Sequence, residues 1–241
     1  MKNFKLSLFP ILFLFLISDA FAQEKLFTYE DYMNWDLYPE SIQNISWRGN
    51  TDFFTFVENN ALVQKSPENS TLADTLLTLS ELKGKNKELD ELRRFPGITW
   101  IDSQRFYFTS KQKVFVYNFD DEKLSKVNEY PEEADNVELD PTNFSIAYTI
   151  ENNLFVSIDG NQMKVSNDDN QDMLYGHVPS RNEFGISKGL YWSEDGKKLA
   201  FYRMDQSMVS DYPLVNYLER TAAYKPDKYP MAGEKSHHVT V

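Results

Sequence analysis

The sequence predicts an all-β fold, a partial β-propeller of about four blades with short helical insertions. Four segments repeat one layout, in which a short apolar strand is followed by a turn of Asp, Asn, Pro or Gly and by a second apolar strand. The strands are rich in aromatic and β-branched residues, which favour β-structure. The anchor residues Trp47, Trp100, Leu139 and Trp192 lie 53, 39 and 53 residues apart, which suits blades of roughly 40 to 50 residues with insertions. A β-sandwich also has short strands and turns, but the recurring unit favours the propeller.

The four segments are residues 45–63, 98–117, 137–156 and 190–202. Each has its turn directly after the anchor residue, as in Ser193-Glu194-Asp195-Gly196 of the fourth. The first three segments contain a third apolar strand after a polar gap. Turn residues between apolar runs are typical of hairpins, so we expect each segment to form an antiparallel sheet.

An insertion in residues 66–96 interrupts the repeat. Its apolar run Thr75–Leu79 predicts a strand, and Ser80 is placed to cap a short helix that ends before Pro96. The helix would present three leucines on one side, Leu82, Leu89 and Leu92.

The first 22 residues have the features of a secretory signal peptide. Lys2 and Lys5 precede the apolar run Leu6–Ile17, and Ala20-Phe21-Ala22 gives a small-x-small cleavage site. The apolar run is shorter than the roughly 20 residues that span a bilayer, although an uncleaved anchor is the alternative. The chain has no cysteine, which excludes disulfides and lipidation at cysteine. We expect an exported protein, periplasmic or extracellular, with residues 23–241 as the amino-terminal part of a propeller.

The formal net charge of -12 argues against nucleic-acid binding, because an acidic surface repels phosphate backbones. The same surface attracts cationic ligands such as a peptide amino terminus, although acidity often serves solubility alone.

Several long strings in the sequence carry a resemblance to a known family. They are Tyr29-Glu30-Asp31, Ala61–Gln64, Arg181–Ile186, Phe201–Val209, Asp211–Val215 and Lys228–Gly233. These strings resemble the dipeptidyl peptidase IV family of serine exopeptidases, and more closely its bacterial dipeptidyl and prolyl tripeptidyl peptidases. The resemblance spans essentially the whole mature chain. It implies an eight-bladed propeller that precedes an α/β-hydrolase domain and narrows access for peptides.

The resemblance implies that Glu183, with Asn182 and Arg181, binds the free amino terminus of a peptide substrate. Mammalian-type relatives have adjacent glutamates here, whereas this chain has Asn182 beside a single Glu183. A carboxylate in a polar loop can form charge-assisted hydrogen bonds to an ammonium group. The alternative for Glu183 is an exposed or locally paired surface carboxylate.

Four further charged residues are candidates for a role at this site, two as support for the loop and two as the family's arginine. Arg203 and Asp205 could pair near the loop or hold it in place, and we favour the supporting role. The family has an arginine on another propeller loop, for which Arg105 and Lys111 are candidates.

The resemblance places the catalytic residues in a hydrolase domain that residues 1–241 do not contain, so this chain alone should be inactive. Gly185-Ile186-Ser187-Lys188-Gly189 satisfies the G-x-S-x-G pattern of a nucleophile elbow. That motif needs a strand before the serine and a helix after it, and the flanking residues predict neither. The histidines His177, His237 and His238 have no convincing triad context.

The sequence predicts neither a cofactor nor a metal site. The adjacent residues His237 and His238 would point in different directions on a strand and lack a third ligand, so a solvated pair is expected. The stretch 168–188 is polar and poor in strand pattern, and its Asp168-Asp169-Asn170 cluster is expected to be a turn rather than a cation site.

The expected function is that of the amino-terminal propeller segment of a secreted serine exopeptidase. The complete enzyme would release dipeptides or tripeptides after proline, and the segment would admit the substrate and hold its amino terminus. The expected partners are a peptide substrate, the hydrolase domain and, in a full-length form, a second copy. The alternatives are a non-catalytic peptide-binding module and a truncated remnant without function.

Overall fold

The structure is a computed structural model that describes residues 27–34, 42–218 and 220–241, without the side chains of residues 43, 70–72 and 181–183. The predicted signal peptide, residues 1–22, lies outside the described residues. The chain divides into two compact units, residues 1–41 and 42–241. The first unit contains helix α1 (Tyr29–Met33), which begins with a capping box between Thr28 and Asp31.

In the second unit, three successive segments each form a four-stranded antiparallel sheet in which neighbouring strands follow one another along the chain. We call these sheets blades 1, 2 and 3. Blade 1 contains β1 (Gln43–Trp47), β2 (Phe54–Glu58), β3 (Ala61–Ser66) and β4 (Asn69–Thr78); blade 2 contains β5 (Thr99–Trp100), β6 (Arg105–Ser110), β7 (Lys113–Asn118) and β8 (Lys123–Glu129); blade 3 contains β9 (Asp135–Leu139), β10 (Ile146–Ile150), β11 (Asn153–Ile158) and β12 (Asn161–Lys164). Their first three strands confirm the repeated units expected from the sequence.

The insertion after blade 1 differs from the prediction in two respects. Its strand is β4, the fourth strand of blade 1 itself. Helix α2 (Leu79–Lys85) is capped by Thr78, whose hydroxyl accepts a hydrogen bond from the Glu81 backbone N–H. The prediction of Ser80 as the cap was wrong, because only Thr78 has a glutamate three residues later to complete a capping box. The helix also ends earlier than expected, and a 3-10 helix (Lys87–Leu89) follows it.

Apolar clusters join each blade to the next. The largest contains side chains from blade 1, the insertion and blade 2: Leu62, Leu77, Leu82, Leu89, Phe95, Phe106, Phe108, Phe115 and Tyr117. In blade 3, strand β10 is buried on both faces, because its side chains alternate between contact with blade 2 and contact with the next sheet. Ile146 and Tyr148 pack with Val114 of blade 2, whereas Ala147 packs with Leu190 of the next sheet.

The fourth segment forms blade 4, whose strands are shorter and whose sheet is divided. Its strands are β13 (Met173–Tyr175), β14 (Leu190–Trp192), β15 (Leu199–Phe201), β16 (Arg203–Asp205) and β21 (His238–Thr240). Strand β15 pairs with β14, while β16 lies between β13 and β21. The stretch 168–188, in which the sequence shows little strand pattern, nevertheless contains β13, a three-residue strand that pairs with β16.

A hairpin is inserted between β16 and β21. It consists of the pair β17 (Asp211–Tyr212) with β20 (Asp227–Lys228) and the pair β18 (Val215–Asn216) with β19 (Ala223–Tyr224). Within the described residues, the blades form an open series of sheets rather than a closed ring. This architecture confirms the predicted all-β partial propeller with short helical insertions.

Candidate functional site

The loop that carries the predicted site residues begins after Gly176 and ends before Gly189. These two glycines lie next to each other in blade 4. Gly176 follows β13 with φ +78°, a left-handed conformation that favours glycine. Gly189 lies against the backbone carbonyls of Gly176 and His177, so closely that a Cβ atom would have no room. Both ends are bound to Tyr202, which donates its N–H to Gly189 O at 3.0 Å and accepts from Gly176 N at 2.7 Å. Residues 177–188 therefore project from a fixed base.

The loop contains a 3-10 helix, Pro179–Gly185, with strained backbone at two positions. Ser180 and Phe184 have φ values of 55° and 58°, and Phe184 exposes 86% of its surface. Left-handed conformations cost non-glycine residues roughly 1–2 kcal/mol and often occur at ligand sites. Arg181, Asn182 and Glu183 lie between these two residues in the backbone of the helix, but their side chains lie outside the described residues.

A cavity of about 380 Å³ lies between this loop, β16 and the returning strand of the hairpin. Its lining residues are Val178, Ser180, Phe184, Met204, Gln206, Asp227, Lys228, Tyr229, Pro230, Ser236 and His237. Its volume lies in the usual range of ligand sites, which combine apolar walls with a few polar groups. The predicted loop thus forms one wall of a cavity that the sequence analysis did not identify.

Lys228 ties the hairpin to blade 4 at the edge of the cavity. Its Nζ lies 3.2 Å from Asp211 Oδ1 and 3.7 Å from Asp172 Oδ1, and it donates a hydrogen bond to Val209 O at 3.1 Å. Because one cation holds groups from both elements, Lys228 fixes the position of this cavity wall.

Arg203 and Asp205 lie on β16, where each contacts a neighbouring side chain. The Arg203 guanidinium lies over the Tyr175 ring, 5.9 Å from its centroid. Asp205 accepts hydrogen bonds from the Ser207 hydroxyl and backbone N–H, at 2.7 and 2.9 Å. The pKa of Asp205 is lowered, first by the Ser207 hydroxyl and then by its N–H. Within the described part of the chain no ion pair joins these two residues, although the Arg203 charge also contributes to the lowered pKa of Asp205. The supporting role expected for them stays a prediction.

Arg105 and Lys111 each bind a carboxylate outside the cavity. Arg105 forms an ion pair with Asp102, with Nη2 2.7 Å from Oδ2, and Lys111 binds Glu91. Both are on blade 2, and neither is among the described cavity-lining residues.

His177 supports the base of the loop and differs from the other two histidines. Its Nε2 lies 2.8 Å from Glu151 O, and burial lowers its pKa, against the smaller opposite effects of this contact and of Asp135. His237 is half-buried and lines the cavity. His238, on strand β21, is exposed and lies opposite Asp205 of β16. His237 thus differs from the solvated residue that the sequence suggested.

The local structure explains the remaining chemical motifs. Ser187 follows the 3-10 helix and precedes strand β14, the reverse of the order in a nucleophile elbow. Asp168 forms a polar turn, in which its carboxylate accepts from Asn170 N and the Tyr175 hydroxyl, both at 2.9 Å. In the described ranges there is no cluster of three His, Asp or Glu side chains able to hold a metal ion. The helices described there are all too short or too polar to cross a bilayer.

Comparisons with known proteins agree with this architecture. A family model of the dipeptidyl peptidase IV (DPP IV) N-terminal region matches residues 99–241. A Bacteroides ovatus protein described as a dipeptidyl aminopeptidase IV has a crystal structure similar to this chain, with a TM-score of 0.74 and 31% sequence identity. The match covers 84% of this chain and 28% of that protein. Porphyromonas gingivalis dipeptidyl peptidase 4 shares the fold, with a TM-score of 0.59, 20% identity and coverage of 90% and 33% of the two chains.

A curated relative from Phaeosphaeria nodorum, described as a dipeptidyl-aminopeptidase B, is 31% identical over 118 residues. Those residues are 42% of this chain and 13% of the relative, so the chain spans a small part of the relative's length. The family model matches more than half of the chain and covers blades 2 to 4. The chain therefore belongs to the dipeptidyl peptidase IV family, whose amino-terminal propeller region it matches.

Proposed function

We propose that this chain is the substrate-admitting propeller portion of an exported serine exopeptidase that releases dipeptides or tripeptides after proline. In this function, the 3-10 helix Pro179–Gly185 presents Glu183 to the amino terminus of the peptide, with Asn182 and Arg181 beside it. Arg203 and Asp205 support the loop from β16. Bond cleavage would require the hydrolase domain of a complete enzyme.

The observation that carries the proposal is the position of this loop beside the cavity. Ser180 and Phe184 line the cavity on either side of the three site residues. The base of the loop is fixed at Gly176 and Gly189, so a carboxylate between them would be held in a limited volume. A limited volume favours binding because less conformational freedom is lost when the ligand is bound. The acidic net charge of -12 adds a long-range attraction for a cationic amino terminus.

Titration calorimetry with Gly-Pro-4-nitroanilide and its N-acetylated form tests this role on the purified protein. The compound with a free amino terminus should bind, and acetylation should weaken binding about tenfold or more, because it removes a charge-assisted hydrogen bond. Glu183→Gln should remove the same preference. Glu194→Gln is the matched control, because Glu194 is exposed on the β14–β15 turn outside the cavity lining. Equal binding of the two compounds would contradict the proposal.

A turnover assay on the same samples tests where cleavage occurs. Release of 4-nitroaniline by the purified protein would contradict the assignment of the catalytic groups to a domain outside residues 1–241. Binding without release supports that assignment.

Export and self-association complete the proposal. Residues 1–22 support export, and mass spectrometry of the exported protein should find Gln23 as its first residue. A mature protein that still contains residues 1–22 would contradict cleavage.

The resemblance supports a homodimer of the full-length form, and light scattering during size-exclusion chromatography should give twice the chain mass rather than the mass of one chain.

A further inference from the structure

The loop that carries the proposed site residues extends from blade 4, but both of its ends contact blade 3. Directly before the loop, Tyr175 N donates a hydrogen bond to Asn152 O at 3.0 Å. At its first residue, His177 Nε2 lies 2.8 Å from Glu151 O. Glu151 and Asn152 form the turn between β10 and β11. The start of the loop is therefore attached to a turn of blade 3 as well as to its own sheet.

Lys188 makes the corresponding contact at the end of the loop. Its Nζ lies 2.5 Å from Oε1 of Glu138, a residue of β9 in blade 3. The backbone carbonyl of Glu138 also accepts a hydrogen bond from Trp192 Nε1 of blade 4 at 3.1 Å. A largely buried indole usually finds an acceptor for its N–H. Lys188 thus binds a residue whose backbone is held in place by a separate contact.

Two contacts with Tyr191 of β14 orient Lys188. The Tyr191 hydroxyl donates a hydrogen bond to Lys188 O at 2.9 Å, and Lys188 Nζ lies 5.2 Å from the centroid of the Tyr191 ring. An ammonium group over an aromatic face is attracted to it electrostatically. The Tyr191 ring in turn meets Tyr202 edge-on, with 5.7 Å between the ring centroids. Because its backbone and its side chain are both held, Lys188 loses less conformational freedom when it pairs with Glu138.

The ion pair is better placed to position the loop than to stabilise the fold. The side chains of Lys188 and Glu138 expose 46% and 28% of their surface, and ion pairs exposed in this way contribute little to folding stability. Only Ile186 and Ser187 separate Lys188 from the 3-10 helix Pro179–Gly185. A contact so close in the chain limits where the helix can lie, even where it adds little to stability.

We propose that Lys188 is a positioning residue for the amino-terminus site and that its ion pair with Glu138 holds the 3-10 helix against blade 3. This inference rests on the proposed function, in which the helix presents Glu183 to the peptide. Without the ion pair the helix samples more positions, so that binding an amino terminus costs more conformational freedom. Affinity for a free amino terminus then falls, while a compound without that charge is affected less.

Hydrogen–deuterium exchange of the purified protein without ligand tests the positioning role. Lys188→Met removes the charge and keeps an unbranched side chain, and exchange in residues 180–185 should become about two- to fivefold faster. Lys188→Arg keeps the charge and should stay close to the unmodified protein. The matched control is Lys113→Met, because Lys113 of blade 2 forms a similarly exposed pair with Glu88 at 2.9 Å. It should leave exchange in residues 180–185 unchanged.

Salt gives a readout that a purely structural role of the side chain would not move. Raising the salt concentration from about 0.05 M to about 0.5 M should speed exchange in residues 180–185 of the unmodified protein, because salt screens exposed ion pairs. The same change should have no such effect in Lys188→Met, which has no pair to screen. Equal salt effects in the two proteins would overturn the inference.

Titration calorimetry then connects the loop with binding. Lys188→Met should weaken binding of Gly-Pro-4-nitroanilide about two- to fivefold and change binding of the N-acetylated compound much less. The inference is overturned if Lys188→Met leaves exchange in residues 180–185 or this affinity unchanged, or if Lys188→Arg behaves like Lys188→Met. Failure of the proposed function is distinguishable, because the unmodified protein would then bind both compounds equally. The exchange rates of Lys188→Met would still decide whether Lys188 holds the loop.

Discussion

Blades 1 to 3 differ from the region that begins at residue 165 in the length, the pairing and the burial of their strands. The first three blades have complete four-stranded sheets, and one of their strands, β4, is ten residues long. In the later region the strands have two or three residues each, and the sheet of blade 4 is divided into two parts. The largest apolar cluster joins blades 1 and 2, whereas the cavity lies in the later region.

The largest apolar cluster and the cavity proposed to bind substrate therefore lie in different parts of this chain. Continuous sheets with two covered faces resist local opening, because opening them exposes many apolar contacts and backbone hydrogen bonds at once. Loops held at a few points are easier to open and can adapt to a ligand. In blade 4 these points are the two glycines at the loop base, the Tyr202 backbone and Lys228.

The largest effect is expected in the core of blade 2. Phe106 is fully buried and stacks on Tyr117, with 5.4 Å between ring centroids. Phe106→Ala should reduce the free energy of unfolding by about 3–5 kcal/mol, because it leaves a cavity among aromatic rings. Urea denaturation measures the loss. The matched control Phe184→Ala, at an exposed position in the cavity loop, should change it by less than about 0.5 kcal/mol. Similar losses in the two variants would contradict the division of roles.

A smaller effect is expected at the base of the cavity loop. Gly189→Ala should cost about 1–3 kcal/mol, because the added methyl group meets the carbonyls of Gly176 and His177 and the backbone must move. Gly84→Ala is the matched control, since a Cβ atom at this position in α2 meets nothing within 4 Å. That change should stabilise the protein by about 0.5–1 kcal/mol. Chemical denaturation of both variants should give opposite signs, and two changes of the same sign would contradict the geometry.

The sequence predicted most of the regular region because its strands alternate with clear turns. The missed strands have weak apolar patterns: β8 is Lys-Leu-Ser-Lys-Val-Asn-Glu, and all four residues of β12 are exposed. An edge strand of this kind is stabilised by pairing with its neighbour, which leaves little periodicity to detect. The helix cap was different, since Thr78 and Glu81 form a capping-box pattern that is visible in the sequence.

The cavity could be predicted only in part. The Arg181–Ile186 string located one wall through its resemblance to a family. The opposite wall is formed by residues 227–230 and 236–237, more than 40 positions later, and depends on the pairing of β16 with β21. The string Lys228–Gly233 contributed to the resemblance, but nothing in its local pattern indicated contact with the loop. Long-range packing of this kind follows from the assembled sheet rather than from periodicity.

The third prediction concerns pH, and its effect on stability is expected to be smaller than those of Phe106→Ala and Gly189→Ala. Burial lowers the pKa of His177 in the folded state below its ordinary value of about 6.5. The unfolded chain therefore binds the proton more readily, and stability should fall as the pH decreases through about 6.5 toward the folded-state pKa. His177→Gln should reduce this loss, as measured by thermal unfolding between about pH 5 and pH 8. An unchanged pH dependence would contradict the assignment to His177.

The smallest effect is expected at Tyr148 in blade 3. This residue is fully buried and its ring stacks on Phe155, yet its hydroxyl has no hydrogen-bond partner within the described ranges. Tyr148→Phe should leave stability unchanged or raise it by up to about 1 kcal/mol, because it removes the desolvation cost of an unpaired hydroxyl. Chemical denaturation provides the measurement. A loss of more than about 1 kcal/mol would mean that the hydroxyl contributes a hydrogen bond.

Hydrogen–deuterium exchange with and without a peptide tests the separation of stability and binding most directly. Excess Gly-Pro-Phe with a free amino terminus should slow exchange in residues 178–185 and 227–237, while exchange in blades 1 and 2 stays unchanged. The N-acetylated peptide should give much weaker protection at the same concentration. Protection confined to blades 1 to 3, or equal protection by both peptides, would contradict the account.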